Sequence, residues 1–222
     1  MNDREKSLFC PRLALWDMDG TILESMRQWR TVLPEVLEER GVTLPEDVVR
    51  EINGRPVARG LDLVTRLMMG EGHGAVTMED VYDNLKRHYV TDVTVREGAE
   101  ALLRAQKAAG TRVVIASATR SEVCKLALSH FGLAALVDDY FTSDVAGVSK
   151  GDPSYFEKAC ARFGVSVEDT VLFEDAYYSV KTAKSVGMRA VVTEDSYQAA
   201  YKDALLELAD AYFTDGFLTR LK

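Results

Sequence analysis

The chain has 222 residues, 47% hydrophobic and 28% charged, an ordinary globular balance long enough for one large domain or a core with a smaller insertion. Its 27 basic and 35 acidic side chains give a formal net charge of −8, which argues against a nucleic-acid-binding surface but not against an anionic small substrate. The charged start MNDREKSLFCPR has no signal-peptide core and no run approaches the ~18 apolar residues of a membrane span, while the widely spaced Cys10, Cys124 and Cys160 suit free thiols; the expectation is a cytoplasmic protein without a zinc site or disulfide framework.

The first predicted element is a buried strand, RLALW (12–16). It runs straight into Asp17, Met18, Asp19, Gly20 and Thr21. Asp disfavours strand interiors, so two carboxylates at the end of a buried run either serve a purpose there or cap an Asp-Gly turn. From about 25 to 94 no buried strand appears, and MRQWRTVLPEVLEERG, PEDVVREIN, VARGLDLVTRLMMG and MEDVYDNLKRHYV read as amphipathic helices. The chain returns through VTVREGAEALLRAQKAAG (93–110), a linker and then a helix.

Strand and helix then alternate. TRVVIA (111–116), TVLF (170–173) and MRAVVT (188–193) are apolar and rich in β-branched residues, and DDYFTS (138–143) and DAYFT (210–214) are weaker strands. Between them lie SEVCKLALSHFG, DPSYFEKACARFG and AYYSVKTAKSVG, each closed by a glycine, with Asp152 as N-cap and Pro153 at the first helical position of the second. This alternation predicts an α/β fold, a doubly wound parallel sheet with right-handed crossovers, interrupted by an all-helical insertion. The domains expected are residues 1–24 with 95–222 as the core and 25–94 as the insertion. Ligands of such sheets sit at the carboxyl ends of the strands.

The strand ends carry a consistent set of groups. Asp17 and Asp19 follow the first strand, Ser117 and Ala118 follow VVIA, Lys150 follows the third strand after a loop, and Glu174 and Asp175 follow TVLF. Each has an ordinary alternative: Ser117 as a helix cap, Lys150 as a solvated loop lysine, Glu174 and Asp175 as acidic residues at a helix N-terminus. The sheet geometry predicts that all of them reach one rim.

On these residues the chain resembles the haloacid dehalogenase superfamily, in the branch that includes β-phosphoglucomutase and small-molecule phosphatases. DMDGT matches the first motif of that family, Ser117 the second, Lys150 the third and FEDAYYSVKTAKSVGM the fourth, and the resemblance runs from about residue 11 to 215. It implies a Rossmann-like core with a helical cap. It also implies a nucleophilic Asp17, which forms an aspartyl-phosphate, and Asp19 as general acid and then base. Ser117 and the Ala118 N–H would hold the phosphoryl group, and Lys150 would neutralise it.

Electrostatics points the same way. Like charges ~4 Å apart at an effective dielectric of ~20 repel by ~4 kcal/mol per pair, so the acidic rim needs a cation. Oxygen ligands suit Mg²⁺, held by Asp17, Glu174, Asp175 and the Asp19 carbonyl.

Asp19 favours phosphate chemistry over dehalogenation, because relatives that cleave carbon–halogen bonds typically lack that carboxylate. The expected function is Mg²⁺-dependent hydrolysis of a small phosphorylated metabolite, with a phosphomutase or a non-catalytic phosphate-binding protein as alternatives. Where the resembled mutases carry a cap histidine this chain has roughly Trp29, and Arg55 and Arg59 do not match the spacing of their cap arginine from Gly54. Substrate contacts are expected from Arg55 and Arg59, with Arg66 and His73 as weaker candidates. Gly151, where many relatives have proline, is expected to loosen the loop that holds Lys150.

Overall fold

A computed structural model describes residues 3–53, 57–68, 76–214 and 216–217. In chain order the elements are α1 (Asp3–Phe9), β1 (Leu13–Trp16), α2 (Met26–Glu38), α3 (Glu46–Asn53), α4 (Val57–Met68), α5 (Met78–Thr91), α6 (Ala99–Ala108) and β2 (Arg112–Ile115). Then come α7 (Ser121–His130), β3 (Asp139–Tyr140), α8 (Ser143–Ala146), α9 (Pro153–Phe163), β4 (Thr170–Glu174), α10 (Tyr177–Ser185), β5 (Arg189–Thr193), α11 (Lys202–Leu208) and β6 (Ala211–Phe213). The chain divides into two compact units, Met1–Glu24 with Thr94–Lys222, and Ser25–Val93.

The first unit is built on a six-stranded sheet in the order β3-β2-β1-β4-β5-β6, every pair parallel. The chain moves outward from β1 to β2 and β3, then returns to the other side of β1 as β4. That reversal makes the carboxyl ends of β1 and β4 the switch point where a doubly wound sheet places its ligands. All six strands, including the two aromatic-centred ones, lie in the segments where apolar runs predicted them.

The period of two then decides where each side chain goes. Trp16 pairs with Phe173 in register, and the two rings stack at 4.3 Å on one face. Leu13, Leu15 and Leu172 belong instead to a core with Val114 and with Tyr155, Phe156, Ala159 and Cys160 of α9. One step beyond Trp16 and Phe173, alternation carries Asp17 and Glu174 to the α9 side of the sheet. The α9 helix has Asp152 as N-cap, its carboxylate accepting from Ser154 N at 2.9 Å, and Pro153 in its first turn. Lys150 stands two residues before this cap and is thereby delivered to the same side.

After β1 the chain makes a tight turn. Ile22 N and Leu23 N both donate to Met18 O at 2.9 Å, and Gly20 N donates to Leu23 O at 2.8 Å. Gly20 has φ +85°, and a Cβ there would stand 2.6 Å from Asp175 Oδ2. The outgoing strand is tied to the returning one, with Leu23 bridged antiparallel to Val95, Glu24 N on Thr94 O and Arg96 N on Ile22 O. The helix α1, the short α8 and the α11 region escaped the sequence reading, being seven, four and seven residues long.

The second unit consists of α2 to α5 among the described residues. A capping box starts α5, with Thr77 and Asp80 each accepting from the other's backbone. Trp29 donates through Nε1 to the Tyr89 hydroxyl at 3.2 Å and meets Tyr82 edge-on. His88 is gripped between Glu35, 2.5 Å from Nε2, and Asp92, 2.6 Å from Nδ1.

Candidate active site

At the switch point Asp17, Lys150, Glu174 and Asp175 are 7%, 1%, 1% and 1% exposed. Asp17 is held beside β4 by its own N–H, which donates to Phe173 O at 2.9 Å. The Lys150 ammonium lies 2.6 Å from Asp17 Oδ1 and 2.5 Å from Glu174 Oε2. Glu174 Oε1 accepts from the N–H groups of Asp175 and Ala176 at 3.1 and 3.0 Å, which holds the turn leading into α10. One oxygen of this carboxylate thus serves the local backbone and the other faces Lys150, while the N-cap of α10, Ala176, makes no side-chain cap bond.

The charges do not balance. Asp17, Glu174 and Asp175 each offer an oxygen within 4.8 Å of the others, and a like-charge pair at that distance repels by ~3.5 kcal/mol at an effective dielectric of ~20. Burial, then the Glu174 charge, pushes the Asp17 carboxyl well above the usual range, and Lys150 only partly opposes this. Burial, Glu174 and Asp17 push Asp175 in the same direction. Burial also works against the Lys150 charge, but Asp17 and Glu174 outweigh it and hold the ammonium well above its ordinary value.

One orientation device was not anticipated from sequence. Thr21 Oγ1 donates to Asp175 Oδ1 at 3.0 Å and fixes the carboxylate, while Asp175 Oδ2 is buried with no hydrogen-bond donor among the described residues. An all-oxygen set with excess negative charge and an orphaned carboxylate oxygen is chemically suited to a hard divalent cation. The residues present fit such an ion.

Asp19 stands on the other side of the turn, half-buried, and its Oδ2 accepts from Thr119 Oγ1 at 2.7 Å. Ser117 is buried at the end of β2 and its Oγ accepts from Thr119 N at 3.1 Å; Ala118 is exposed beside it. Parallel register places these groups next to β1, where Ala116 N donates to Trp16 O at 2.7 Å. Thr119 follows Ser117 and Ala118 and Thr21 falls within DMDGT, yet the sequence reading gave neither a role. Their roles appear only as contacts across 100 and 154 residues.

The loop around Lys150 is held despite Gly151. Gly151 N donates to Ser149 Oγ at 3.2 Å, Asp152 N to Ser149 O at 2.9 Å, and Thr182 Oγ1 to Gly151 O at 3.4 Å. These bonds stand where the sequence reading expected a loosened loop. Arg59 and Arg66 are exposed on α4 in the helical unit. Arg55 and His73 lie outside the described residues.

Residues 11–187 match the haloacid dehalogenase-like hydrolases. The chain belongs to that family. It is 27% identical over 199 residues to a validoxylamine A 7'-phosphate phosphatase of Streptomyces hygroscopicus subsp. limoneus, covering 88% of this chain and 93% of the relative. It is 25% identical over 178 residues to a fructose-1-phosphate phosphatase of Escherichia coli, covering 80% and 93%. A solved structure of a putative β-phosphoglucomutase from Thermotoga maritima superposes with a TM-score of 0.74 at 25% identity, covering 92% of this hydrolase and 94% of that chain. No helix among the described residues of this hydrolase is long and apolar enough to cross a membrane.

Proposed function

We propose that this hydrolase is a Mg²⁺-dependent phosphatase of a small phosphorylated metabolite, sugar-like in class, working through an aspartyl-phosphate. The observation that carries the reading is the buried Asp17 carboxylate. It is clamped by an ammonium at 2.6 Å, yet it remains crowded by acidic groups that a cation and a phosphoryl group together would balance. Two of the relatives named above are a validoxylamine A 7'-phosphate phosphatase and a fructose-1-phosphate phosphatase, which supports the substrate class.

In the first half-reaction an Asp17 oxygen forms a bond to phosphorus while the ester P–O bond breaks. The electron pair goes to the leaving oxygen, which takes a proton from Asp19. In the second, a water oxygen bonds to phosphorus and the Asp17–phosphorus bond breaks, while Asp19 accepts the proton of the water. Ser117 and the Ala118 N–H would hold the phosphoryl oxygens, and Lys150 would offset their charge and orient Asp17. Asp17, Glu174, Asp175 and the Asp19 carbonyl would hold Mg²⁺, which when bound supplies charge neutralisation for the transferring group. The helical unit, with Arg59 and Arg55, is the part assigned to substrate choice.

The test is release of p-nitrophenol from p-nitrophenyl phosphate with Mg²⁺, with EDTA, and by Asp17→Asn. Metal-dependent release lost in Asp17→Asn is expected; equal rates in all arms refute the reading and leave a non-catalytic phosphate-binding protein. The likeness to a putative β-phosphoglucomutase makes one further arm informative. Conversion of β-glucose 1-phosphate, with a bisphosphate primer, to glucose 6-phosphate without net phosphate release would replace the phosphatase with a mutase. Trp29 is already committed to Tyr89 and Tyr82 inside the helical unit, which does not favour that outcome.

A further inference from the structure

Thr119 lies between three parts of the site and is 4% exposed. Its hydroxyl donates to Asp19 Oδ2 at 2.7 Å, its N–H donates to Ser117 Oγ at 3.1 Å, and its carbonyl accepts from Cys124 Sγ of α7 at 3.6 Å. The backbone of a single residue is thus pinned to the β2 end and to α7, while its side chain reaches the turn after β1. We propose that Thr119 is a positioning residue that holds the Asp19 carboxyl for its proton transfers. The proposal rests on the phosphatase reading above.

The argument is one of hydrogen-bond inventory. A threonine hydroxyl carries one proton, and here it is spent on Asp19 Oδ2. When Asp19 is a carboxylic acid the bond to Oδ2 is kept in either sense, because a threonine hydroxyl both donates and accepts. Transfer of the Asp19 proton to the leaving oxygen turns Asp19 into a carboxylate, and the Thr119 bond becomes charge-assisted and stronger at that moment. The same bond holds the Asp19 carboxylate in place when water attacks. Thr119 thus stabilises the conjugate base, and its effect grows with the need of the leaving group for a proton.

That dependence separates positioning from mere packing. In Thr119→Val the shape is kept and the donor is lost, so kcat/KM for phenyl phosphate is expected to fall about tenfold or more, the size of losing a hydrogen bond to a charged group. For p-nitrophenyl phosphate, whose leaving group departs readily without a proton, the fall is expected to stay under about threefold, because kcat/KM stops at departure of the leaving group. Thr119→Ser, which restores a donor, recovers the ratio. Thermal melting of both variants shows whether either is misfolded. Equal losses on both substrates, or a Thr119→Ser variant as selective as Thr119→Val, overturn the proposal, as does a Thr119→Val enzyme unchanged on phenyl phosphate. If wild-type enzyme cleaves neither substrate above Asp17→Asn, the phosphatase reading itself fails and the proposal falls with it.

Discussion

Replacing Lys150 with methionine removes the only cation seen against Asp17 and Glu174 among the described residues, at 2.6 and 2.5 Å. Each contact is worth ~6 kcal/mol of gross attraction at an effective dielectric of ~20. Desolvation of the ions cancels several kcal/mol of that, so breaking the buried arrangement is expected to destabilise by about 3–5 kcal/mol. For a chain of this size that is a fall of about 6–20 °C in Tm. Denaturant unfolding in EDTA at neutral pH measures it. Adding Glu174→Gln to the methionine variant should recover part of the loss, because the amide oxygen still accepts from Asp175 N and Ala176 N while one uncompensated charge disappears. The pH dependence has a definite sign. Asp17 is already held above the usual carboxylate range, so the folded state binds more protons than the unfolded one and stability falls as pH rises. Without Lys150 the carboxyl rises further, and the deficit of the variant should grow with pH and shrink on acidification. A loss under about 1 kcal/mol, or one independent of pH, would refute the view that Lys150 holds these carboxylates together.

Three other outcomes are expected. Thr21→Val deprives Asp175 Oδ1 of its donor and should weaken Mg²⁺ binding about 10- to 100-fold by calorimetry; unchanged affinity would remove Thr21 from the site. Gly20→Ala forces a side chain into a φ of +85° with its Cβ 2.6 Å from Asp175 Oδ2, so a stability loss of at least about 1–2 kcal/mol with lost metal-dependent activity is expected, and a variant as stable and active as wild type would contradict it. In the helical unit, burial works against the His88 charge, but hydrogen bonds to Asp92 and Glu35 outweigh it and raise its pKa. Its contribution is therefore full below the ordinary histidine range and lost as pH rises through the raised folded value. The stability gap between wild type and His88→Gln, measured by denaturant titration, should be widest near pH ~6 and close toward alkaline pH; a gap that widens with pH would show the opposite linkage.

Periodicity and punctuation in the sequence determined most of this hydrolase's architecture. Buried runs of four to five residues read as parallel strands, glycines and Asp152-Pro153 marked the helix ends, and the strandless interval set the helical insertion apart. Asp17, Asp19, Glu174 and Asp175 stood out for a related reason, since charged residues at the ends of apolar strands need a cause outside the strand, whereas Lys150, on a loop beyond β3, stood out through the family resemblance. Elements shorter than about two helical turns, such as α1 and α8, were not legible, because too few residues repeat to establish a period. Tertiary structure alone decided the rest. The alternation of a pleated sheet turned Asp17 and Glu174 toward α9, so that Lys150 meets both. Hydroxyls as ordinary as Thr21 and Thr119 became Asp175's and Asp19's hydrogen-bond partners, because the register of β1 against β2 and β4 brings together residues that chain order holds far apart. A hydrogen bond needs its partners within about 3 Å, and only the folded sheet imposes that distance.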